Sequence, residues 1–176
     1  MRGGNGYIED RVNSRLVRNA HLGVLWEGIS NINALDVTTR AIAKVGPHSA
    51  LADTISNLLD YSPEIPGQFR GELQNISDRA IAVAKEIARS GNELMAREAS
   101  DMLYHATSAV LLARKGAALG ATGGDARRLV MARMVVEHRL RPHDPLAIPA
   151  DGDPAALALL GDTAITLTDP QRMAFQ

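Results

Sequence analysis

The sequence contains no cysteine, and aromatic side chains make up only 3% of it. Without thiols there can be no disulfide staple, thiolate metal site or cysteine nucleophile, a composition that fits a reducing cytosol. No apolar run approaches the roughly 20 residues that a membrane-spanning helix requires, so no membrane association is expected. The opening MRGGNGYIED has no apolar stretch and therefore no secretory leader character. Charge is nearly balanced at -1, which leaves no global field to draw the chain to nucleic acid or anionic lipid. What the sequence does have is aliphatic: hydrophobic residues reach 45% with very few rings, so the core must be built from Leu, Ile, Val, Ala and Met. Ala and Leu are strong helix formers and suit helix-on-helix packing.

Helical spacing recurs along most of the chain. Val12, Leu16 and Ala20 share a face on a first short helix, and the glycine-bracketed stretch 23–28 reads as an extended or turning approach to the next. Ser30 or Asn31 can cap a helix carrying Ile32, Leu35, Ile42 and Val45, which Gly46-Pro47 stops. Leu51, Ile55, Leu58 and Leu59 follow, and the loop YSPEIPG at 61–67 ends that element. Phe69, Leu73, Ile76, Ala80, Val83 and Ile87 form a narrow seam, and Ser90-Gly91-Asn92 closes it. Met95, Ala99, Met102, Ala106, Ala109 or Val110, and Ala113 make a small-residue stripe that admits a close neighbour and suggests an oligomerisation surface. Gly120 to Gly124 interrupts, and Asp125 caps a helix with Leu129, Ala132, Val136 and Leu140 inward. The fold class expected is all-α, an up-and-down helical bundle over residues 1–145. Residues 146–176 read as a C-terminal arm or partly disordered tail with one short helix at Pro154 to Leu160.

Few residues invite chemistry. His21, His48, His105, His138 and His143 form no i, i+4 pair, so no metal site is expected. The glycines of GGNG could cradle an anion, but no Lys-Ser or Lys-Thr follows and the segment reads first as a turn. Arg127, Arg128, Arg133, Arg139 and Arg141, with His138 and His143, make a basic segment. Its two readings are a solvated helix face and a DNA-binding surface. Glu27 lies between Trp26 and Gly28 inside an apolar run. It can be a glutamate favoured by the helix dipole, or a carboxylate whose pKa desolvation raises toward that of a general base.

Three blocks, GGNGY at Gly3–Tyr7, RLVRNA at Arg15–Ala20 and WEGISN at Trp26–Asn31, resemble in order and register the acyl-CoA dehydrogenase family. The family's pattern is GGxGY, RLxRDA and an aromatic-Glu-Gly-Thr. The resemblance covers about the first fifth of the chain, and the remainder is compatible with the family's C-terminal bundle. It implies that Glu27 is the catalytic base, Trp26 and Gly28 contact the acyl-CoA, and Gly3, Gly4, Ile29 and Asn31 contact FAD, Gly3 and Gly4 from a neighbouring subunit. Ile29 stands where the family has Thr, and Asn19 where it has Asp. The family's two other domains, upstream of GGxGY, have no counterpart in these residues, so the chain is expected to act within a homo-oligomer or with missing upstream domains, and to be inactive alone. A branch of the family, the adaptive-response flavoproteins, shares the Trp and binds DNA through a basic C-terminal region, which residues 127–143 resemble.

Overall fold

A computed structural model describes residues 12–26, 29–142 and 154–168, with no strand among them. Among the described residues seven α-helices follow in order: α1 (Val12–Trp26), α2 (Ser30–Asp36), α3 (His48–Asp60), α4 (Gly67–Ser90), α5 (Ala96–Ala121), α6 (Arg127–Val135) and α7 (Pro154–Leu160). Wider, π-type turns extend α2 over Val37–Val45 and α6 over Val136–Leu140. The first has a local cause. Thr38 Oγ1 donates to the Ala34 and Leu35 carbonyls at 3.1 and 3.2 Å, and Thr39 Oγ1 donates to the Leu35 carbonyl at 2.7 Å. Hydroxyls that occupy those carbonyls compete with the backbone ladder and open it.

The bundle is built on α4 and α5, which run antiparallel. Ile87 clusters with Ala99 beside the connecting turn, whereas Phe69 and Leu73 at the other end of α4 share a core with Ala113 and Ala117. Gly91 makes the turn possible: it sits at φ 66, where a side chain would be strained, and its N–H closes on the Ile87 carbonyl. Ile55 and Leu59 of α3 and Leu129, Ala132 and Val136 of α6 complete the main core. Ile65 pins the 61–66 loop into the same core at 1% exposure. Each large aliphatic side chain sealed here contributes about 1.5–3 kcal/mol relative to exposure.

On α5 the buried stripe is Ala96, Ala99, Ala106, Ala109, Val110, Ala113, Gly116 and Ala117. A Cβ on Gly116 would lie 2.2 Å from the Leu129 backbone nitrogen, so α5 and α6 touch backbone to backbone. The stripe is therefore an internal surface. Residues beyond α7 also dock: Ile165 is fully buried and packs with Val130 of α6.

Several sequence-based expectations change. The stretch expected to be extended from Gly23 is helical as far as Trp26. No atom lies near a Cβ at Gly23, and one glycine costs a helix only about 1 kcal/mol. Neither Ser30 nor Asn31 caps α2. Extended Ile29 does, its carbonyl accepting from Ile32 and Asn33 N–H. On α1 the face shared by Val12 and Leu16 is outward: they are 53% and 56% exposed, and Ser14 is buried. Periodicity identifies an apolar stripe without naming what it covers, and no described residue covers this one. In the α2 rod the inward residues are Ala34, Thr38 and Ile42, while Ile32 is exposed and the π-winding over Val37–Val45 changes the angular step that would place Val45 on the core face. On α4 the seam passes through Ser77, Ala80, Ile81 and Ala84, leaving Val83 at 41% exposure. Asn92 provides no side-chain cap for the turn before α5.

Two glycine substitutions separate packing from propensity. Gly116→Ala should destabilise by about 1–3 kcal/mol or more, because a methyl cannot enter a backbone contact. Gly71→Ala, mid-α4 with nothing near its Cβ, should stabilise by about 0.5–1 kcal/mol. Chemical denaturation of both variants checks the opposite signs.

Candidate functional site

The residues singled out around the α1–α2 junction divide into two groups. Gly3, Gly4, Glu27 and Gly28 lie outside the described residues. Trp26 ends α1, Ile29 follows in extended conformation (φ -67, ψ 148), and Ser30 begins α2. Ile29 is 56% exposed at the mouth of α2.

Asn31 in the first turn of α2 is tied to α5: Arg97 Nη1 donates to its Oδ1 at 3.2 Å. Arg97 is itself held by Asp101, one turn on, with Nε 2.8 Å from Oδ2. Asn31, Leu35, Glu93, Leu94, Ala96 and Arg97 line a cavity of about 330 Å³. Polar and charged groups of both signs meet one exposed leucine there, since Leu94 is 94% exposed. Sequence reasoning found Asn31 but missed Arg97 and Glu93. The local signal was an Arg–Asp pair at i, i+4; nothing linked it to a residue 66 positions earlier.

Three arginines of the basic segment are committed within the chain, and His143 lies outside the described residues. Arg127 Nη2 donates to the carbonyls of Gly161 and Thr163 at 2.7 and 3.3 Å. Arg133 is only 8% exposed, with Nε 3.5 Å from Glu137 Oε1. Arg141 reaches back to α4, where Nη2 lies 2.6 Å from Glu72 Oε1. Arg128, His138 and Arg139 remain exposed. No group of three or more ligating side chains that could hold a metal occurs among the described residues. No helix there is long and apolar enough to cross a membrane.

Asp125 does more than the capping its position suggested. Its Oδ1 accepts the Arg127 N–H at 2.9 Å, capping α6, and also the Ile165 N–H at 3.1 Å. One carboxylate oxygen therefore fastens residues 40 positions apart. The Ile165 N–H is the main cause holding this carboxyl below the ordinary aspartate range, with the Arg127 N–H and the Arg127 and Arg128 charges adding to it against partial desolvation.

No protein-family model, curated protein or solved structure matches the chain.

Because the folded carboxyl titrates lower than in the unfolded chain, Asp125 stabilises fully above about pH 4 and loses that contribution as pH falls through the lowered value. Asp125→Ala should cost about 1 kcal/mol through the lost cap. It should also flatten the acid limb of the stability curve, and should leave the Ile165 amide less protected from hydrogen exchange. Denaturation at stepped pH and amide exchange measure the two effects.

Proposed function

We propose that this chain is the C-terminal helical part of a flavin-dependent acyl-CoA dehydrogenase, with Glu27 as the base. The observation that carries this reading is the ordered trio GGNGY, RLVRNA and WEGISN, together with a helix that runs to Trp26 and a chain that turns extended at Ile29. Ile29, extended at the entry to α2, opens a turn of backbone N–H groups that a ligand can approach in a way it cannot approach a helix wall. Ile29 and Asn31, both exposed at the entry to α2, fit residues offered to a ligand held jointly with another surface.

In this reading Glu27 takes a proton from the α-carbon of an acyl-CoA thioester while a hydride leaves the β-carbon, so that a Cα=Cβ double bond forms. Bound FAD supplies the acceptor for that hydride. The Gly28 N–H donates to the thioester carbonyl and stabilises the negative charge that develops there, which acidifies the α-proton. Trp26 lines the acyl chain. Gly3, Gly4, Ile29 and Asn31 contact the nucleotide. Binding energy for FAD and CoA comes mainly from elements outside these 176 residues, and oriented binding supplies much of the rate.

Duplex DNA is the second candidate partner, through residues 127–143. With Arg127, Arg133 and Arg141 engaged internally, that reading rests on Arg128, His138 and Arg139. The internal burial of the alanine stripe on α5 moves any self-association to another surface.

The purified chain should show no turnover of butanoyl-CoA or octanoyl-CoA with an artificial electron acceptor, and measurable turnover would refute the partial-site reading. Fused behind the flavin- and CoA-binding domains of a family enzyme, it should restore activity. Glu27→Gln in that fusion should lower kcat by about 10²–10⁴-fold with FAD content unchanged. Equal rates for the variant and its parent would remove Glu27 as the base.

A further inference from the structure

A second cavity lies where α4 and α5 meet the chain leaving α6. Its volume is about 300 Å³, and Ile76, Arg79, Val83, Met102, Arg139 and Leu140 supply most of its wall. The four apolar side chains come from three separate elements. Val83 accounts for itself here: displaced from the core seam and 41% exposed, it faces a depression instead of the interior.

The charges in this cleft are unbalanced. Arg141 also lines it, but Glu72 neutralises that guanidinium from 2.6 Å. Glu98, in the first turn of α5, offsets one further charge at the wall. Arg79 and Arg139 carry no ion pair among the described residues, although they line one cavity from two different elements. Two guanidiniums sharing a partly apolar depression repel each other, and a shared anion converts that repulsion into two charge-assisted hydrogen bonds. Adjacent methylene and thioether surface then favours an apolar extension on the same molecule.

From this juxtaposition we infer a binding cleft for a small amphipathic carboxylate, its head between Arg79 and Arg139 and its chain along Ile76, Val83, Met102 and Leu140. A monoanion is the matched charge. After Glu72 and Glu98 are counted, one net positive charge faces the cleft, so a phosphate dianion or a polyanion is the poorer fit. The volume stands at the lower end of the roughly 300–1,000 Å³ typical of ligand pockets, which limits the chain to a short one. The inference uses no residue of the N-terminal blocks and is independent of the proposed dehydrogenase role.

The test is amide chemical-shift titration of the isotopically labelled 176-residue chain with sodium octanoate, octanol, acetate and inorganic phosphate. Octanoate should shift the amides of Ala80, Val83, Met102 and Leu140, with acetate, octanol and phosphate each at least about tenfold weaker, since each lacks the tail, the charge or the matched valence. Arg79→Gln and Arg139→Gln should each weaken octanoate about threefold to tenfold, because both side chains are exposed and solvent screens part of their contribution. Neither exposed substitution should move the thermal midpoint, and Glu27→Gln should bind octanoate as the parent does. Unchanged octanoate affinity in the double variant R79Q/R139Q would overturn the inference. So would octanol binding as tightly as octanoate, phosphate binding more tightly than octanoate, or shifts that map away from the cleft.

Discussion

At Gly116 the backbones of α5 and α6 come so close that a single methyl group has no room. Much of the bundle depends on that contact. It brings Leu129, Ala132 and Val136 of α6 onto the same core as Phe69, Leu73 and Leu59, and it places Val130 where Ile165 can cover it. The alanines on α5 serve the same end. With Ala109, Ala113 and Ala117 fully buried, α5 presents a low surface on which neighbouring helices supply the bulk. Close packing therefore arises from the absence of side chain on one helix as much as from its presence on the others.

Two separate fastenings hold the periphery to this centre. Asp125 joins the start of α6 to Ile165, and Arg141 joins its far end to Glu72 on α4. Arg127 and Arg141 of the basic segment are drawn into contacts with the chain's own carbonyls and carboxylates. The remaining positive charge is redistributed into a depression shared with Ile76, Val83 and Met102. A segment that reads as basic in sequence is, in three dimensions, a set of internal ties and a few outward cations.

The fold was legible where one physical rule dominated. The α3, α4 and α5 helices, the loop carrying Pro63 and Pro66, and the short helix from Pro154 followed from periodicity and breakers, because aliphatic spacing, glycine and proline act locally. Legibility failed where a competing local bond or a remote partner decided. Thr38 and Thr39 rewound α2 through hydroxyl bonds, and that rewinding turned Val45 to 70% exposure. Ile165, read as part of a tail, became core because Asp125 received its N–H. At the candidate site the blocks around Glu27 were visible as short motifs, whereas the Arg97–Asn31 link depends on tertiary proximity and leaves no mark in either segment.

The scarcity of rings has a spectroscopic consequence. Phe69 is the fully buried aromatic of the described core, while Tyr61 and Tyr104 stand 82% and 66% exposed. Tyrosine emission thus samples solvent in the folded chain almost as it does in the unfolded one, and phenylalanine absorbs weakly. These two tyrosines therefore report little of the collapse of the aliphatic interior. Amide circular dichroism and methyl resonances follow that collapse more directly.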